Sequence, residues 1–220
     1  MTAGEAGMIT KRSQSGIYLL VAVCVALMVA CSLTVRLPKL ERDDVVVAFG
    51  DSITFGAGAT PQESYPAILE KIIGRRVVNA GVPGEVTAGG LARLPKVLER
   101  EKPALVIICL GGNDLLRSMG KKQAADNIRE MVRLTRKHGA AVVLIGVPAL
   151  GLSVSPDPLY REIAETMNVS LEEKTLSEIL ADSALKADLI HPNAAGYRRL
   201  AEAVAALMRK NGAIESTTSQ

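Results

Sequence analysis

Four short apolar segments, each followed by a segment of helical periodicity, constrain the fold of this 220-residue chain more than any other feature. A strand that is apolar at every position is buried on both faces, and strands that alternate with helices pair in parallel. The sequence therefore predicts an α/β domain of three layers, α/β/α, in which helices cover both faces of a parallel sheet. The apolar segments are residues 45–49, 76–79, 105–110 and 141–147.

Helical segments separate and follow these strands. In residues 121–137, for example, Ala125, Ile128 and Val132 fall on one face of a helix. Further helices are expected at 65–73, 88–100, 159–167 and 194–210, with a short strand near 169–171. The predicted domain covers residues 45–211.

The N-terminal 35 residues contain an apolar run with the length of a membrane span. Lys11 and Arg12 precede residues 17–35, in which no charge appears before Arg36. At about 1.5 Å per residue, such a run spans a hydrocarbon core of about 30 Å. A buried core helix is disfavoured, because the run is apolar all round and lies at the extreme N-terminus.

Two membrane interpretations of residues 1–35 stay open, beside ordinary signal cleavage. One is an uncleaved signal anchor. The other is a lipoprotein signal, because the segment LMVAC, which ends at Cys31, resembles a lipobox. Both predict that the following domain is held at the membrane of the cell envelope, outside the cytoplasm. Residues 36–44, charged and with a proline, are predicted to be a linker, and residues 212–220 a polar tail.

The composition excludes several kinds of partner and site. The net charge is only +3 and 3% of residues are aromatic, so no nucleic-acid partner is expected. The three cysteines have neither zinc-type nor redox spacing. The cysteines are therefore expected to be apolar filler rather than a metal or redox site. No dinucleotide fingerprint and no phosphate-binding loop with its lysine occurs.

Polar residues follow the predicted strands where each strand ends. Asp51 and Ser52 follow the first strand, the segment NAGVPGE follows the second, and GGND follows the third. In parallel sheets ligands bind beyond the carboxyl ends of the strands. Asp188 and His191, in the late segment ADLIHPN, are expected to join them at this edge.

Ser52, His191 and Asp188 are the residue types that nucleophilic catalysis needs. A serine attacks an acyl carbon when a neutral imidazole takes its proton, and a carboxylate holds the imidazole in the required tautomer. The chain has two histidines, and the other, His138, is expected to lie in the last turn of a helix before Gly139. Ser52, Asp188 and His191 are therefore predicted to be catalytic.

A tetrahedral intermediate also needs hydrogen-bond donors around its oxyanion. The candidates are the backbone N–H groups of Ser52 and Gly84 and the side-chain amide of Asn113. Glycine suits the position of Gly84, because the missing Cβ lets the backbone approach a ligand closely.

Other interpretations of these residues stay open. Ser52 and Asp51 are also compatible with a helix cap, and Asp188 and His191 with a simple turn. Asp51, Asp114, Asp188 and His191 are together compatible with the metal site of a metal-dependent phosphoesterase. A catalytically silent binding module of the same fold is the third class.

The motifs GDSIT, GVPGE, GGND and DLIHPN together resemble the SGNH or GDSL hydrolase superfamily, in their order and spacing. The resemblance covers nearly the whole chain after the predicted linker. It is strongest to the bacterial branch of lysophospholipases, thioesterases and arylesterases. It implies a flavodoxin-like fold without metal or organic cofactor. It also implies Ser52 as nucleophile, Asp188 and His191 as the other triad residues, and Gly84 and Asn113 at the oxyanion. The expected substrate is a small or lipid-derived acyl ester.

Overall fold

A computed structural model describes residues 35–149 and 154–215. These residues form seven strands and eight α-helices. The strands are β1 Val46–Gly50, β2 Val77–Gly81, β3 Leu105–Cys109, β4 Ala141–Ile145, β5 Pro148–Ala149, β6 Ser155–Pro156 and β7 Ser170–Glu172. The helices are α1 Ser52–Phe55, α2 Tyr65–Ile73, α3 Thr87–Glu101, α4 Gly112–Leu116, α5 Lys121–Lys137, α6 Pro158–Met167, α7 Thr175–Ala181 and α8 Ala194–Lys210.

Five of the strands form one parallel sheet in the order β2-β1-β3-β4-β7. Counting only the strands of this sheet, the order is 2-1-3-4-5, as in flavodoxin-like folds. The register aligns the strand ends, because Gly50 pairs with both Gly81 and Cys109. The segments that follow β1, β2 and β3 therefore leave the sheet at the same edge. Strands β5 and β6 form a separate antiparallel pair.

Helices cover both faces of the sheet. Helix α8 packs against α2 and α7, and helix α5 packs against α3 and α6. Strands β1 and β3 are buried along their whole length, as their uninterrupted apolar sequences require. The predicted α/β class with a parallel sheet is confirmed. A helix capped by Asp51 is one of the interpretations that the sequence leaves open, and α1 is such a helix. The short helices α4 and α7 and the β5–β6 pair were not predicted.

The packed domain extends beyond the predicted bounds of 45–211. Leu40 is 1% exposed, and its N–H donates to the carbonyl oxygen of Ala213 at 2.8 Å. Leu37 donates in the same way to Asn211, and Ala213 and Ile214 are buried. At these residues the packing differs from that expected of the predicted linker 36–44 and of the start of the predicted tail 212–220, whose residues 216–220 lie outside the described residues. The reason is that Leu37 and Leu40 are apolar, and two buried leucines are enough to pack a charged segment against the residues that follow α8.

The predicted membrane segment lies outside the described residues, apart from Val35. Among residues 35–149 and 154–215, the structure contains no helix with the length and apolar character that crossing a membrane requires.

Replacement of Leu40 by alanine tests whether this N-terminal segment belongs to the domain. Removing a buried leucine leaves a cavity, so Leu40→Ala is expected to lower the free energy of unfolding by about 2–4 kcal/mol. Denaturant unfolding measures it, with the neighbouring exposed Arg42→Ala as the control that changes little. Equal stability of the two variants would show that the segment is a linker after all.

Candidate active site

The turn after β1 presents Ser52 at the edge of the sheet. Asp51 caps the short helix α1 by accepting the N–H of Ile53 on Oδ1, at 3.1 Å. Gly50 leaves no room for a side chain, because a Cβ there would lie 2.1 Å from Thr54 Oγ1 and 2.4 Å from the carbonyl oxygen of Cys109. The glycine therefore lets the chain turn sharply where the strand ends, and Ser52 begins the helix.

The loop before α8 brings His191 to Ser52. The distance from His191 Nε2 to Ser52 Oγ is 3.0 Å, and that from His191 Nδ1 to Asp188 Oδ2 is 2.8 Å. The other Asp188 oxygen accepts the backbone N–H groups of Ile190 and His191. Gly58 allows this approach, since a Cβ there would lie 2.7 Å from the carbonyl oxygen of Pro192. Ser52, His191 and Asp188 thus form one hydrogen-bonded chain.

The environment of Asp188 favours its ionised form. Burial is the largest single influence and raises the pKa of Asp188. The hydrogen bonds from the His191 ring and from the N–H groups of Ile190 and His191 together lower it by more, so the pKa lies below its ordinary value. An ionised Asp188 accepts the Nδ1–H of His191 and leaves Nε2 free to accept a proton from Ser52.

Gly84 occupies the turn that follows β2. The N–H of Glu85 donates to the carbonyl oxygen of Val82, which closes a four-residue turn with Pro83 and Gly84 at its centre. Gly84 has a φ of 75°, which a type II turn requires at this position and which glycine adopts without strain. The side chain of Arg117 donates to the Gly84 carbonyl oxygen at 3.1 Å.

Asn113 lies in α4, directly after β3, and its amide reaches both other loops. Its Nδ2 donates to the carbonyl oxygen of Glu85 at 3.0 Å and to Asp51 Oδ2 at 3.3 Å. Asn113 is thereby held between the turn that contains Gly84 and the turn that presents Ser52. All five predicted site residues therefore lie on the loops of one sheet edge.

Asp51 is a site residue whose contacts sequence reasoning did not predict. In the sequence Asp51 is compatible with a helix cap, and the structure also places its carboxyl against the Asn113 amide. Burial raises the pKa of Asp51 to about 7, against the lowering effect of the Ile53 N–H and of the charge on His191. Its position next to Ser52 in the motif was the only available signal.

Asp114 does not join the other acids. Its two oxygens accept the N–H and the hydroxyl of Thr87 and so hold the start of α3. Within the part of the chain that the structure describes, no three His, Cys, Asp or Glu side chains gather in a geometry that could hold a metal ion.

A cavity of about 610 Å³ opens beside Ser52 and His191. Its size is typical of a small-molecule site. Most of its wall is apolar, with one ion pair, Lys121 to Asp157 at 2.6 Å, which joins residues too far apart for the sequence to predict. The apolar residues of the wall include Ile53, Leu115, Val147, Leu180 and Ile190.

Residues 48–199 match the model of the GDSL-like lipase/acylhydrolase family. The chain belongs to this family. The match covers the four motifs from Ser52 to His191, and it confirms the resemblance found in the sequence. The protein is accordingly a hydrolase of the SGNH type.

Relatives within the family include three bacterial enzymes. Esterase TesA of Pseudomonas aeruginosa is 36% identical over 192 residues, which are 81% of this chain and 94% of TesA. An arylesterase of Vibrio mimicus is 30% identical over 176 residues, 75% of this chain and 88% of that enzyme. Thioesterase 1/protease 1/lysophospholipase L1 of Escherichia coli is 30% identical over 158 residues, 68% of this chain and 76% of that enzyme.

Solved structures of family members have the same fold. The crystal structure of TesA has a TM-score of 0.69 and 34% identity, and the match covers 76% of this chain and 99% of TesA. AlinE4, an SGNH-hydrolase family esterase, has a TM-score of 0.59 and 32% identity, over 78% of this chain and 98% of AlinE4.

The raised pKa of Asp51 predicts a dependence of stability on pH. Between the ordinary value of 3.8 and about 7, the folded protein keeps a proton that the unfolded chain has lost. Stability relative to an Asp51→Asn variant should therefore fall as pH rises through this range, and then level off. Unfolding free energies of both proteins between pH 4 and 8 measure the difference.

The same comparison, Asp51 against Asp51→Asn, is repeated in proteins that also carry His191→Gln. This change removes the effect of the His191 charge on the pKa of Asp51. The fall should persist there, since burial is the main cause of the shift. A stability difference that stays constant with pH in both backgrounds would contradict the prediction.

Proposed function

We propose that this protein is a serine esterase or thioesterase that hydrolyses carboxylic esters through an acyl-enzyme. The observation that carries the proposal is the hydrogen-bonded chain from Ser52 Oγ to His191 Nε2 and from His191 Nδ1 to Asp188. The esterase, arylesterase and thioesterase names of its relatives support the same reaction class.

In the proposed reaction Ser52 attacks the acyl carbon. Its Oγ forms a bond to that carbon while its proton passes to His191 Nε2, and Asp188 stabilises the imidazolium. The bond to the leaving oxygen or sulfur then breaks, and His191 returns the proton to the leaving group. Water attacks the acyl-enzyme with the same base, which releases the acid and restores Ser52.

The oxyanion is assigned to the N–H groups of Ser52 and Gly84 and to the side-chain amide of Asn113. These three groups belong to the loops that follow β1, β2 and β3, whose ends are level in the sheet. In the present geometry the Asn113 amide donates to Asp51 and to the Glu85 carbonyl. The longer of these bonds, to Asp51 at 3.3 Å, is the one we expect the oxyanion to replace.

The surroundings of the site favour an apolar acyl ester, and lipid-derived esters fit this description. The cavity beside Ser52 is mostly apolar. The large apolar side chains that are exposed in residues 35–149 and 154–215 all lie on segments that follow a strand or adjoin a triad residue. They are Phe55, Val82, Leu116, Met119 and Leu189. Of these five, Leu116 lines the cavity and extends its apolar wall to the surface.

The proposed arrangement of the whole chain keeps an N-terminal membrane signal before the catalytic domain. The apolar run 17–35 and its basic flank, Lys11 and Arg12, support an anchor or a lipoprotein signal at Cys31. The domain is then proposed to act at the cell envelope, outside the cytoplasm. Replacement of Cys31 by serine, with metabolic labelling by a radioactive fatty acid, tests the lipoprotein signal: label that is lost in the variant indicates a lipoprotein. If label is never present, an uncleaved protein in the membrane fraction indicates an anchor, and a shortened protein indicates ordinary signal cleavage.

Replacement of Ser52 by alanine tests the nucleophile. Because no other hydroxyl is assigned to attack, Ser52→Ala is expected to reduce kcat for a short p-nitrophenyl ester by at least about 10³-fold, to the level supported by the remaining groups. The unfolding midpoint should stay close to that of the unmodified protein. Turnover near the original rate would contradict the assignment.

Replacement of Asn113 by alanine tests the oxyanion donor. Loss of one such donor is expected to reduce kcat by about 10²–10³-fold with a small change in KM, since the bond strengthens only in the transition state. A matched control is Asn127→Ala, which removes an amide that donates to Thr87 within the fold. If Asn113→Ala and Asn127→Ala have the same kcat, Asn113 does not stabilise the transition state.

A further inference from the structure

Arg93 on α3 is a polar side chain close to the site that has no role in the proposed reaction. Its Nη2 donates to the carbonyl oxygens of Gly50 at 3.2 Å and of Ala80 at 2.8 Å. Gly50 directly precedes Asp51 and Ser52, and Ala80 lies at the end of β2. One guanidinium thus bridges the carboxyl ends of two neighbouring strands.

The same guanidinium binds Glu85 with two hydrogen bonds. Arg93 Nε lies 2.7 Å from Glu85 Oε1, and Nη2 lies 2.6 Å from Oε2. The Glu85 side chain is only 9% exposed and that of Arg93 is 25% exposed. The guanidinium also stacks on the ring of Phe49, 4.0 Å from its centre. Partial burial and two-point geometry make this pair stronger than an exposed ion pair.

Gly90 in α3 lets the helix pack closely beside this arrangement. A Cβ there would lie 2.6 Å from Leu110, so Leu110 would have to move. The same Cβ would lie 3.4 Å from the Phe49 ring and 3.5 Å from Glu85 Oε2, and a Cβ at Gly89 would lie 3.4 Å from the Glu85 side chain, which are ordinary contact distances. Glycine inside a helix costs stability, about 1 kcal/mol relative to alanine. At Gly90 this cost accompanies the close approach of α3 to Leu110, next to Phe49 and Glu85.

Glu85 and Arg93 together connect this cluster to all three proposed oxyanion donors. It directly follows Gly84 in the chain, so its position fixes the turn that presents the Gly84 N–H. Its backbone carbonyl accepts the Asn113 amide at 3.0 Å. Through Gly50, Arg93 also contacts the turn that presents the Ser52 N–H.

We propose that Arg93, paired with Glu85, is the positioning residue of the oxyanion hole and sets the distances between its three donors. This proposal rests on the proposed function. Arg93 does not touch the reacting atoms in it. It acts through Glu85 and through the carbonyl groups of Gly50 and Ala80.

The geometry requires arginine at this position. A guanidinium presents five N–H donors in a rigid plane, and this one uses Nε and Nη2 toward three separate acceptor groups while its face stacks on Phe49. A lysine ammonium keeps the charge but has no such planar fork. Arg93→Lys therefore separates the positioning role from the charge alone.

The test compares Arg93→Lys and Glu85→Gln with the unmodified full-length chain. Because misplaced donors weaken binding of the transition state more than binding of the substrate, kcat per active site is expected to fall about 10- to 100-fold in Arg93→Lys. KM should stay within about threefold. Titration with a fluorophosphonate counts the active sites, so that a smaller folded fraction is not mistaken for a lower kcat. Glu85→Gln, which loses the charge and keeps one acceptor, should show a smaller fall.

Arg129→Lys is the matched control. Arg129 lies on α5, has a side chain 20% exposed, and pairs with Asp126 and Glu162 away from the site. It therefore reports what the loss of a partly buried, ion-paired arginine does to the fold alone. Its kcat per active site should equal that of the unmodified protein.

Hydrogen–deuterium exchange provides a readout that does not depend on turnover. In Arg93→Lys, exchange is expected to rise at least several-fold in peptides that cover residues 80–86 and 112–117, and to stay unchanged there in Arg129→Lys. Unchanged exchange in these peptides, or a kcat equal to that of Arg129→Lys, would overturn the positioning role. If the unmodified protein shows no ester turnover that depends on Ser52, the proposed function fails, and exchange alone still decides whether Arg93 fixes the loops.

Discussion

The hydrogen bond between Ser52 and His191 joins two residues 139 positions apart, and the arrangement of the site depends on it. Ser52 lies after the first strand of the sheet and His191 just before the last helix, so their contact forms only when the whole domain has folded. Parallel pairing makes this contact possible, because it places the ends of β1, β2 and β3 level at one edge. Each strand contributes one short loop, and the loops carry the polar groups that the buried sheet cannot accommodate.

Polar groups at this edge are held by other polar groups in partly buried positions. Asp51 is 2% exposed and ties the nucleophile turn to Asn113, at the cost of keeping a carboxyl in surroundings that raise its pKa to about 7. Arg93 and Glu85 form a second group of this kind, next to the Gly84 turn and the end of β2. A loss of stability of this kind is expected where a site needs hydrogen-bond donors in fixed positions.

The sequence predicted the strands of the sheet and the loops that carry the site, because uninterrupted apolar runs and strand-end motifs are local signals. The triad and oxyanion roles of Ser52, Gly84, Asn113, Asp188 and His191 stay predictions that the geometry supports. Contacts between distant segments had no local signal. Leu37 and Leu40 lie in a segment predicted to be a charged linker, and no pattern in the sequence singled out Arg93. Only the tertiary structure shows that the residues after α8 bind Leu37 and Leu40 and that Arg93 reaches the ends of two strands.

In the proposed reaction Ser52 carries the acyl group during turnover. Rapid acid quenching during hydrolysis of a p-nitrophenyl ester, followed by peptide mass spectrometry, measures it directly. An added acyl mass is expected on the peptide that contains Ser52, formed within the burst of p-nitrophenol release and absent in Ser52→Ala. An acyl group on a different residue, or hydrolysis with no acylated peptide although a burst occurs, would contradict it.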